Sequence, residues 1–373
     1  MTAGGERVKP RLQAGRVALA AMIALVLAAC TSPSSGQGGA TTGASTAPST
    51  TPTSTTTPSS TPATGSTTTS TSTTSTTTPP VPVDGGGSST VRVRVAALPP
   101  GAVVPTAISP ASPAWLKMVP IAFSRFGSGP DLLLIAGQDG TMSWWDAALL
   151  SDLSRRYRVT VFDLPGAGYS GAPTAPLSLG WLADMTAGLA FAVGLSHPVV
   201  LGWGLGGEIA LALAERHPGL ASSLVLVDTS GGGGSATPPA SGVARLLALP
   251  GATPVALARL LFPRTNAGRR ASVPWASSLL ATPDFVTARS IAAEAELQAR
   301  FWKHSPLTPG LLRVEIPALV VSGADDTVFP PQNALALDGL LPHAKLVMLT
   351  AAGYGAIIQD EPAFVAAVEG FTG

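Results

Sequence analysis

The chain has 373 residues, with 22 lysines and arginines against 21 aspartates and glutamates, and charged residues make up only 12% of it. This near balance of charge argues against a nucleic-acid partner, because binding to phosphates requires a basic excess. Cys30 is the only cysteine, so a disulfide within one chain is excluded. The sequence shows no internal repeat of the length that indicates a solenoid.

The N-terminal 30 residues have the pattern of an export signal. Basic residues in the first 16 positions precede the uncharged apolar run "VALAAMIALVLAA" at residues 17–29. This run is shorter than the roughly 20 residues of a transmembrane helix and fits a secretory signal. It ends in "LAAC", which resembles the lipobox of bacterial lipoproteins, and this resemblance implies a lipid such as palmitate on Cys30. We therefore expect a lipoprotein signal peptide at residues 1–29 and a membrane anchor on the extracytoplasmic face of a bacterial cell envelope. The alternative is an ordinary secretory signal or membrane anchor with an incidental cysteine.

Residues 30–90 combine the lipidated cysteine with a linker of low complexity. The linker consists almost wholly of Ser, Thr, Pro, Gly and Ala. Such a segment has too little apolar surface to offset the entropy of ordering, so we expect it to be disordered. A passive spacer is the preferred interpretation, and an O-glycosylated stalk, as in actinobacterial exported proteins, is the alternative.

From residue 91 onward, short apolar runs alternate with segments of helical spacing. The predicted strands include "DLLLIAG", "YRVTVF", "PVVLGW", "SSLVLV", "IPALVV" and "AKLVMLT". This alternation predicts an α/β domain over residues 91–373, with a mostly parallel central sheet flanked by helices. The alternation stops between about residues 231 and 309, where helical stretches near residues 243–249, 254–262 and 284–302 predict a cap over the carboxyl edge of the sheet.

Three motifs in this order resemble the α/β-hydrolase fold superfamily. "DLPGAGYSG" at residues 163–171 resembles its D-x-x-G-x-G-x-S turn, and "GWGLGG" at residues 202–207 resembles its G-x-S-x-G-G nucleophile elbow. "GADDTVFP" at residues 323–330 resembles its acid loop. The resemblance implies the α/β-hydrolase fold for nearly all of the region from residue 123 onward.

The residues at the three triad positions indicate a catalytically degenerate member. Gly204 stands where the resemblance places the nucleophilic serine, and it has no side chain that attacks a substrate. Asp326 keeps the acid position, whereas Tyr354 stands at the position of the histidine, in "AAGYGAII". A tyrosine, with a pKa near 10, is a poor general base at neutral pH. Three of the four histidines, His197, His217 and His343, stand at positions expected of surface or helix-end residues. The fourth, His304, lies in the predicted cap, and the alternative is that it reaches the pocket.

The loss of two triad residues predicts a pseudoenzyme with a retained pocket. We expect this pocket to hold a small apolar or lipid-like ligand, and the glycine at the elbow to widen its floor. The residues expected to line it are Gly137, Gln138, Asp139, Trp203, Gly204, Leu205, Asp326 and Tyr354. The sequence contains neither a metal-ligand cluster nor a phosphate-binding loop, so no cofactor is predicted.

Two other functions compete with a ligand-binding or sensing protein. One is an unconventional hydrolase in which Asp139 or Asp326 activates water and Tyr354 donates a proton. The other is a cell-surface scaffold whose cap or sheet edge binds a protein partner. Glycine also stands at the elbow of non-catalytic relatives such as the N-myc downregulated family and the neuroligins, which resemble this chain at the elbow and in fold only.

Overall fold

The computed structural model describes residues 89–96, 116–173, 175–281, 286–305, 307 and 309–373. The predicted signal peptide, Cys30 and the linker as far as residue 88 lie outside these described residues. Within the described part, none of the helices combines the length and the apolar character that crossing a membrane requires.

Eight strands form one sheet in the described part of the chain. They are β1 (Ser89–Ala96), β2 (Leu116–Phe126), β3 (Asp131–Ile135), β4 (Arg158–Phe162), β5 (Val199–Trp203), β6 (Ser223–Val227), β7 (Ala318–Gly323) and β8 (Ala344–Leu349). Their order across the sheet is β1-β2-β4-β3-β5-β6-β7-β8. β2 is antiparallel to β1 and β4, and all other neighbours are parallel. The predicted mostly parallel sheet is therefore confirmed.

The central strands are apolar because helices cover both faces of the sheet. Every residue of β3, β5, β6 and β7 is buried. Successive side chains of a strand point to opposite faces. Accordingly, Leu133 and Val200 belong to one hydrophobic core, while Leu132 and Leu201 belong to the other.

Ten α-helices are described beside the sheet. They are α1 (Ala147–Ser154), α2 (Leu179–Ala192), α3 (Leu205–Arg216), α4 (Ser241–Leu247), α5 (Pro254–Leu261), α6 (Asn266–Ala281), α7 (Ala288–Lys303), α8 (Gln332–Leu340), α9 (Ala356–Gln359) and α10 (Glu361–Thr372). Helix α1 begins at Ala147. The carboxylate of Asp146 caps it by accepting from the Ala148 N–H at 2.8 Å, and Met142–Trp144 form a separate 3-10 turn.

The segment between β6 and β7 contains four helices, α4 to α7. The sequence predicted three helical stretches there, near residues 243–249, 254–262 and 284–302, and did not predict α6. This helix carries Pro274 in its interior and buries only four residues, among them Trp275 and Leu279. Its proline and its polar stretches interrupt the apolar period on which a sequence-based prediction depends.

The turn after β4 is held by the carboxylate of Asp163, the first residue of the D-x-x-G-x-G-x-S motif. Its Oδ1 accepts from the Met142 N–H at 2.8 Å and its Oδ2 from the Tyr169 N–H at 2.9 Å. The Ser170 hydroxyl donates to the Asp163 carbonyl at 2.6 Å. The motif therefore ties β4 to the loop after β3, which borders the site described next.

Candidate functional site

The turn from β5 to α3 has the sharp geometry of a nucleophile elbow, with Gly204 at its tip. Gly204 has φ 58° and ψ −118°, a conformation that residues with a side chain adopt only under strain. Its neighbours are small because the backbone approaches closely: a Cβ on Gly206 would lie 2.7 Å from the Ala136 carbonyl oxygen. The Thr229 hydroxyl donates to the Gly204 carbonyl at 2.7 Å and fixes the turn.

The side chain of Tyr354 occupies the space above Gly204. A Cβ built on Gly204 would overlap the Tyr354 hydroxyl oxygen and lie 3.0 Å from its Cζ. A Cβ on Gly137 would lie 2.5 Å from the same hydroxyl oxygen. The sequence had suggested that glycine widens the pocket floor. The structure differs here, because the phenol fills the place that a nucleophile's side chain would take.

Aromatic packing holds Tyr354 in this position. Its ring stacks on Trp203, with centroids 5.0 Å apart, and on Phe329, at 5.8 Å. The Trp203 Nε1–H donates to the Tyr354 carbonyl oxygen at 2.9 Å. Burial, reinforced by the neighbouring carboxylates Asp326 and Asp228, raises the pKa of Tyr354 further above its usual value. The phenol is therefore neutral at physiological pH.

The acid position, Asp326, lies in the turn after β7 beside a second carboxyl group. Its Oδ1 accepts from the main-chain N–H groups of Val328, at 2.7 Å, and Phe329, at 3.0 Å. Asp228, which directly follows β6, accepts from the Gly323 N–H at 2.9 Å. Burial raises the pKa of Asp326 to about 8, although its two N–H bonds oppose the shift. Burial and the nearby Asp326 likewise raise the pKa of Asp228 well above its usual range.

The loop after β3 contacts the cap through a pair of acids. The main-chain N–H of Asp139, a residue with φ 58°, donates to the Glu294 carboxylate on α7 at 2.7 Å. The Gln138 Nε2 donates to the Asp139 Oδ2 and to the Leu247 carbonyl, each at 3.3 Å. Burial raises the pKa of Asp139 to about 7, and burial together with Asp139 raises that of Glu294 to about 8.

A third acidic contact links the elbow helix to the cap. Glu208 on α3 is fully buried and accepts from the Gln298 side-chain amide on α7. Burial raises its pKa well above the usual value. No motif of the sequence marks Asp228, Glu208 or Glu294 as site residues. The available signal was an acidic residue within an otherwise apolar stretch, as Glu208 is in "GGEIALALA".

Two cavities lie between the sheet and the cap. The first has a volume of about 240 Å³, and among the expected pocket residues Gln138, Leu205 and Tyr354 line it. The second, of about 300 Å³, is lined by Gln138 and Asp139 among the expected residues. Gln138 therefore borders both cavities.

The remaining expected pocket residues lie elsewhere. Gly137, Trp203 and Gly204 lie against Tyr354 instead of lining these two cavities. Asp326 lines a separate, more open cavity together with Arg259. The structure thus places three of the other seven residues against Tyr354 and does not bring the eight onto one cavity wall.

The four histidines of the sequence occupy structural or exposed positions. His217 Nε2 lies 2.8 Å from the Asp184 carboxylate, which also binds Arg216. His343 lies 3.8 Å from Glu315 at the surface, and the side chain of His304 is exposed at the end of α7. No histidine of the described chain lines either cavity under the cap.

Comparisons with known proteins agree with this geometry. Residues 131–252 match the family model described as alpha/beta hydrolase fold. The chain is 30% identical over 263 residues to a pimeloyl-[acyl-carrier protein] methyl ester esterase of Aeromonas hydrophila, covering 68% of this chain and 99% of the esterase. It is 27% identical over 253 residues to a putative carbamate hydrolase of Pseudomonas savastanoi, covering 63% of this chain and 91% of that protein.

A solved structure gives the same result. A hydrolase from Pseudomonas aeruginosa superposes with a TM-score of 0.56 at 27% identity, covering 69% of this chain and 95% of that chain. The chain belongs to the α/β-hydrolase fold superfamily.

Proposed function

We propose that this protein is a non-catalytic, ligand-binding or sensing member of the α/β-hydrolase superfamily. The observation that supports the proposal is the placement of Tyr354 over Gly204. The glycine supplies no nucleophile, and the phenol fills the space in which a substrate carbonyl would meet one. Fold alone does not determine activity, so the esterase and hydrolase names of the relatives do not transfer without these groups.

The chemistry of the retained groups also supports a non-catalytic role. In an active triad the acid is an ionised carboxylate that orients a histidine. Here the pKa of Asp326 is about 8, so this carboxyl group is largely protonated at neutral pH. Tyr354, with its raised pKa, does not accept a proton there either.

The first cavity is the proposed ligand site. It lies beside Tyr354, and its remaining lining is largely apolar. That lining includes Trp144, Leu261, Ala295, Trp302, Val328 and Phe329. The side-chain amides of Gln138 and Gln298 add a few polar atoms, which is the usual composition of a small-molecule pocket. The ligand proposed for it is small and mainly apolar.

One observation favours a second candidate, a hydrolase in which Asp139 activates water. Asp139 lines the second cavity and has a pKa of about 7, near the optimum for a general base at neutral pH. An Asp139→Asn variant separates the two functions, because it would abolish turnover only if this carboxylate is the base.

Catalysis is tested with a panel of acyl esters and lactones on the full-length protein. We expect wild-type turnover to equal that of a heat-denatured sample. We expect the double variant Gly204→Ser/Tyr354→His to gain at least about tenfold in ester hydrolysis, because it restores the nucleophile and base beside Asp326. Gly194→Ser is the matched control, since Gly194 also has a positive φ (68°) but has open space around its Cβ position.

Wild-type turnover that Asp139→Asn or Tyr354→Phe removes would overturn the non-catalytic assignment. It would instead establish the unconventional hydrolase. Loss of activity only in Asp139→Asn would identify that carboxylate as the base.

We also propose that the domain is anchored to the outer face of the cell membrane through a lipid on Cys30. The basic start, the apolar run and the position of the only cysteine support this proposal. A Cys30→Ser variant is expected to move from the membrane fraction to the soluble fraction, which is measured by immunoblotting after cell fractionation. Unchanged membrane retention of Cys30→Ser would contradict lipid anchoring and leave an uncleaved apolar segment as the anchor.

A further inference from the structure

We infer that the second cavity under the cap binds a small organic cation, a primary alkylammonium whose apolar tail fills the cavity and whose charged head contacts Asp139. The inference rests on the proposed ligand-binding function and adds a second ligand site, with its class of ligand, to the site in the first cavity. Two observations support it: the apolar lining of the cavity and the hydrogen bonds of the Asp139 carboxylate.

The wall of the cavity selects an apolar tail. Apart from Gln138, Asp139 and the backbone around Gly251, its lining side chains are apolar. They are Trp144, Leu247, Leu249, Ala252, Pro254, Leu257, Leu279, Leu280, Val286 and Ile291. The volume of about 300 Å³ lies at the lower end of the range of small-molecule pockets, about 300–1,000 Å³. A linear chain of six to eight atoms is therefore of suitable size.

Asp139 gives this wall an acceptor for a hydrogen-bond donor. Its Oδ2 accepts from Gln138, and its main-chain N–H is bonded to Glu294. Its Oδ1 is buried and has no hydrogen-bond partner among the described residues. A buried oxygen of this kind costs free energy unless a donor reaches it, and a carboxylate bonds most strongly to a charged donor.

The charge around Asp139 favours a cation over a neutral donor. Glu294 is a second buried acid in direct contact with its backbone. Among the residues described, no lysine, arginine or histidine forms an ion pair with either carboxyl group. Burial of both groups raises the pKa of Asp139 to about 7 and that of Glu294 to about 8. The pair therefore keeps protons that an ammonium group would replace.

The same charges disfavour a fatty acid. A ligand carboxylate forms no ion pair with either acid, and ionisation of Asp139 or Glu294 beside it would place like charges together in a medium of low dielectric constant. An alcohol of equal length would offer a donor without charge. A series of amine, alcohol and acid with one common tail therefore tests the head-group preference directly.

The test is isothermal titration calorimetry on the full-length protein in zwitterionic nanodiscs, with empty nanodiscs as the blank. The probes are hexylammonium, 1-hexanol and hexanoate. We expect hexylammonium to bind at least about tenfold more tightly than the other two, because a charged hydrogen bond is worth about tenfold or more in affinity. Asp139→Asn should lose this preference, whereas Glu296→Gln should keep it, because Glu296 is an exposed acid on the same helix α7.

A second pair of variants locates the tail. Ala252→Leu reduces the volume of the second cavity, and Ala299→Leu reduces that of the first. We expect Ala252→Leu to weaken hexylammonium binding at least about tenfold and Ala299→Leu to leave it within about twofold.

The outcomes separate this inference from the proposed function. Equal or tighter binding of hexanoate or hexanol, or absence of hexylammonium binding, would overturn the cation assignment while leaving a non-catalytic ligand-binding protein in place. Binding that Ala299→Leu abolishes and Ala252→Leu does not would assign the ligand to the first cavity. The proposed function itself fails only if the wild type turns over esters or lactones.

Discussion

Gly204 and Tyr354 fit each other at the centre of the site. Only a glycine at position 204 leaves room for the phenol, because any Cβ at the elbow would overlap the Tyr354 hydroxyl. Tyr354 in turn is held by stacking on Trp203 and Phe329. The two positions are 150 residues apart in sequence, yet Tyr354 is incompatible with a serine at position 204. A side chain at position 204 would therefore require a change of packing at position 354 as well.

This fit predicts a large loss of stability when a methyl group is added to Gly204. Gly204→Ala should lower the free energy of unfolding by about 3–5 kcal/mol, because backbone strain and overlap with Tyr354 add. Gly194→Ala should cost only about 1–2 kcal/mol, since its positive φ is similar but its Cβ position is open. Urea denaturation of both variants measures the difference.

A double variant tests whether overlap with the Tyr354 phenol causes the loss of stability in Gly204→Ala. Adding Tyr354→Phe to Gly204→Ala removes the hydroxyl that the new methyl group would meet and should recover about 1–2 kcal/mol. The single variant Tyr354→Phe should change stability much less. Equal losses in Gly204→Ala and Gly194→Ala, with no recovery in the double variant, would show that backbone conformation alone restricts the elbow.

Helix α7 connects the cap to the loops and the helix that border the sheet. Its Ser290 hydroxyl donates to the Gly166 carbonyl at 2.9 Å. Further along the helix, Glu294 accepts from the loop after β3, and Gln298 donates to Glu208 on the elbow helix. These contacts follow one face of the helix, so they fix the part of the cap that borders the two cavities.

The elements of the sheet were predictable because their local sequence is consistent with their burial. Runs such as "DLLLI" and "SLVLV" are apolar throughout, as a strand covered on both faces requires. Helix α6 was not predictable in this way, because Pro274 and its polar residues break the apolar period and its packing is tertiary. The pattern of apolar residues along the sequence therefore predicts a strand or helix only where its buried face is apolar without interruption.

The site was predictable only as far as its motifs extend. The elbow and acid-loop motifs identified Gly204 and Asp326 by spacing, and the last loop identified Tyr354. The position of the phenol over Gly204 and the bond from Asp139 to Glu294 depend on contacts between distant segments. Motif spacing does not predict contacts between distant segments. The phenol above Gly204 and the second cavity were therefore found only in the structure.

The pH dependence of stability depends on where the acidic groups lie more than on the net charge of the chain. The formal net charge is +1, yet five acidic groups with raised pKa lie under or beside the cap. They are Asp139, Glu208, Asp228, Glu294 and Asp326. Asp131 and Asp184 have a lowered pKa, which follows from their bonds to Arg158 and to His217 and Arg216. Because of the raised groups, the native state is expected to bind more protons than the unfolded chain near neutral pH.

The stability of the protein is expected to fall as the pH rises from 5 to 8. In the unfolded chain these acids have pKa values of roughly 4, whereas Asp139 titrates at about 7 and Glu294 and Asp326 at about 8 when folded. The native state therefore binds more protons, and the stability that these groups contribute is full below pH ~4 and lost as the pH passes their folded pKa. The lowered pKa values of Asp131 and Asp184 have the opposite effect on stability, but only below pH ~4.

Urea midpoints at pH 5, 6, 7 and 8 measure the fall in stability. Glu294→Gln should reduce it by at least about 1 kcal/mol, while Glu296→Gln, the exposed control, should leave it unchanged. A rise in stability over this range, or equal slopes in the two variants, would mean that the acids under the cap are ionised in the native state.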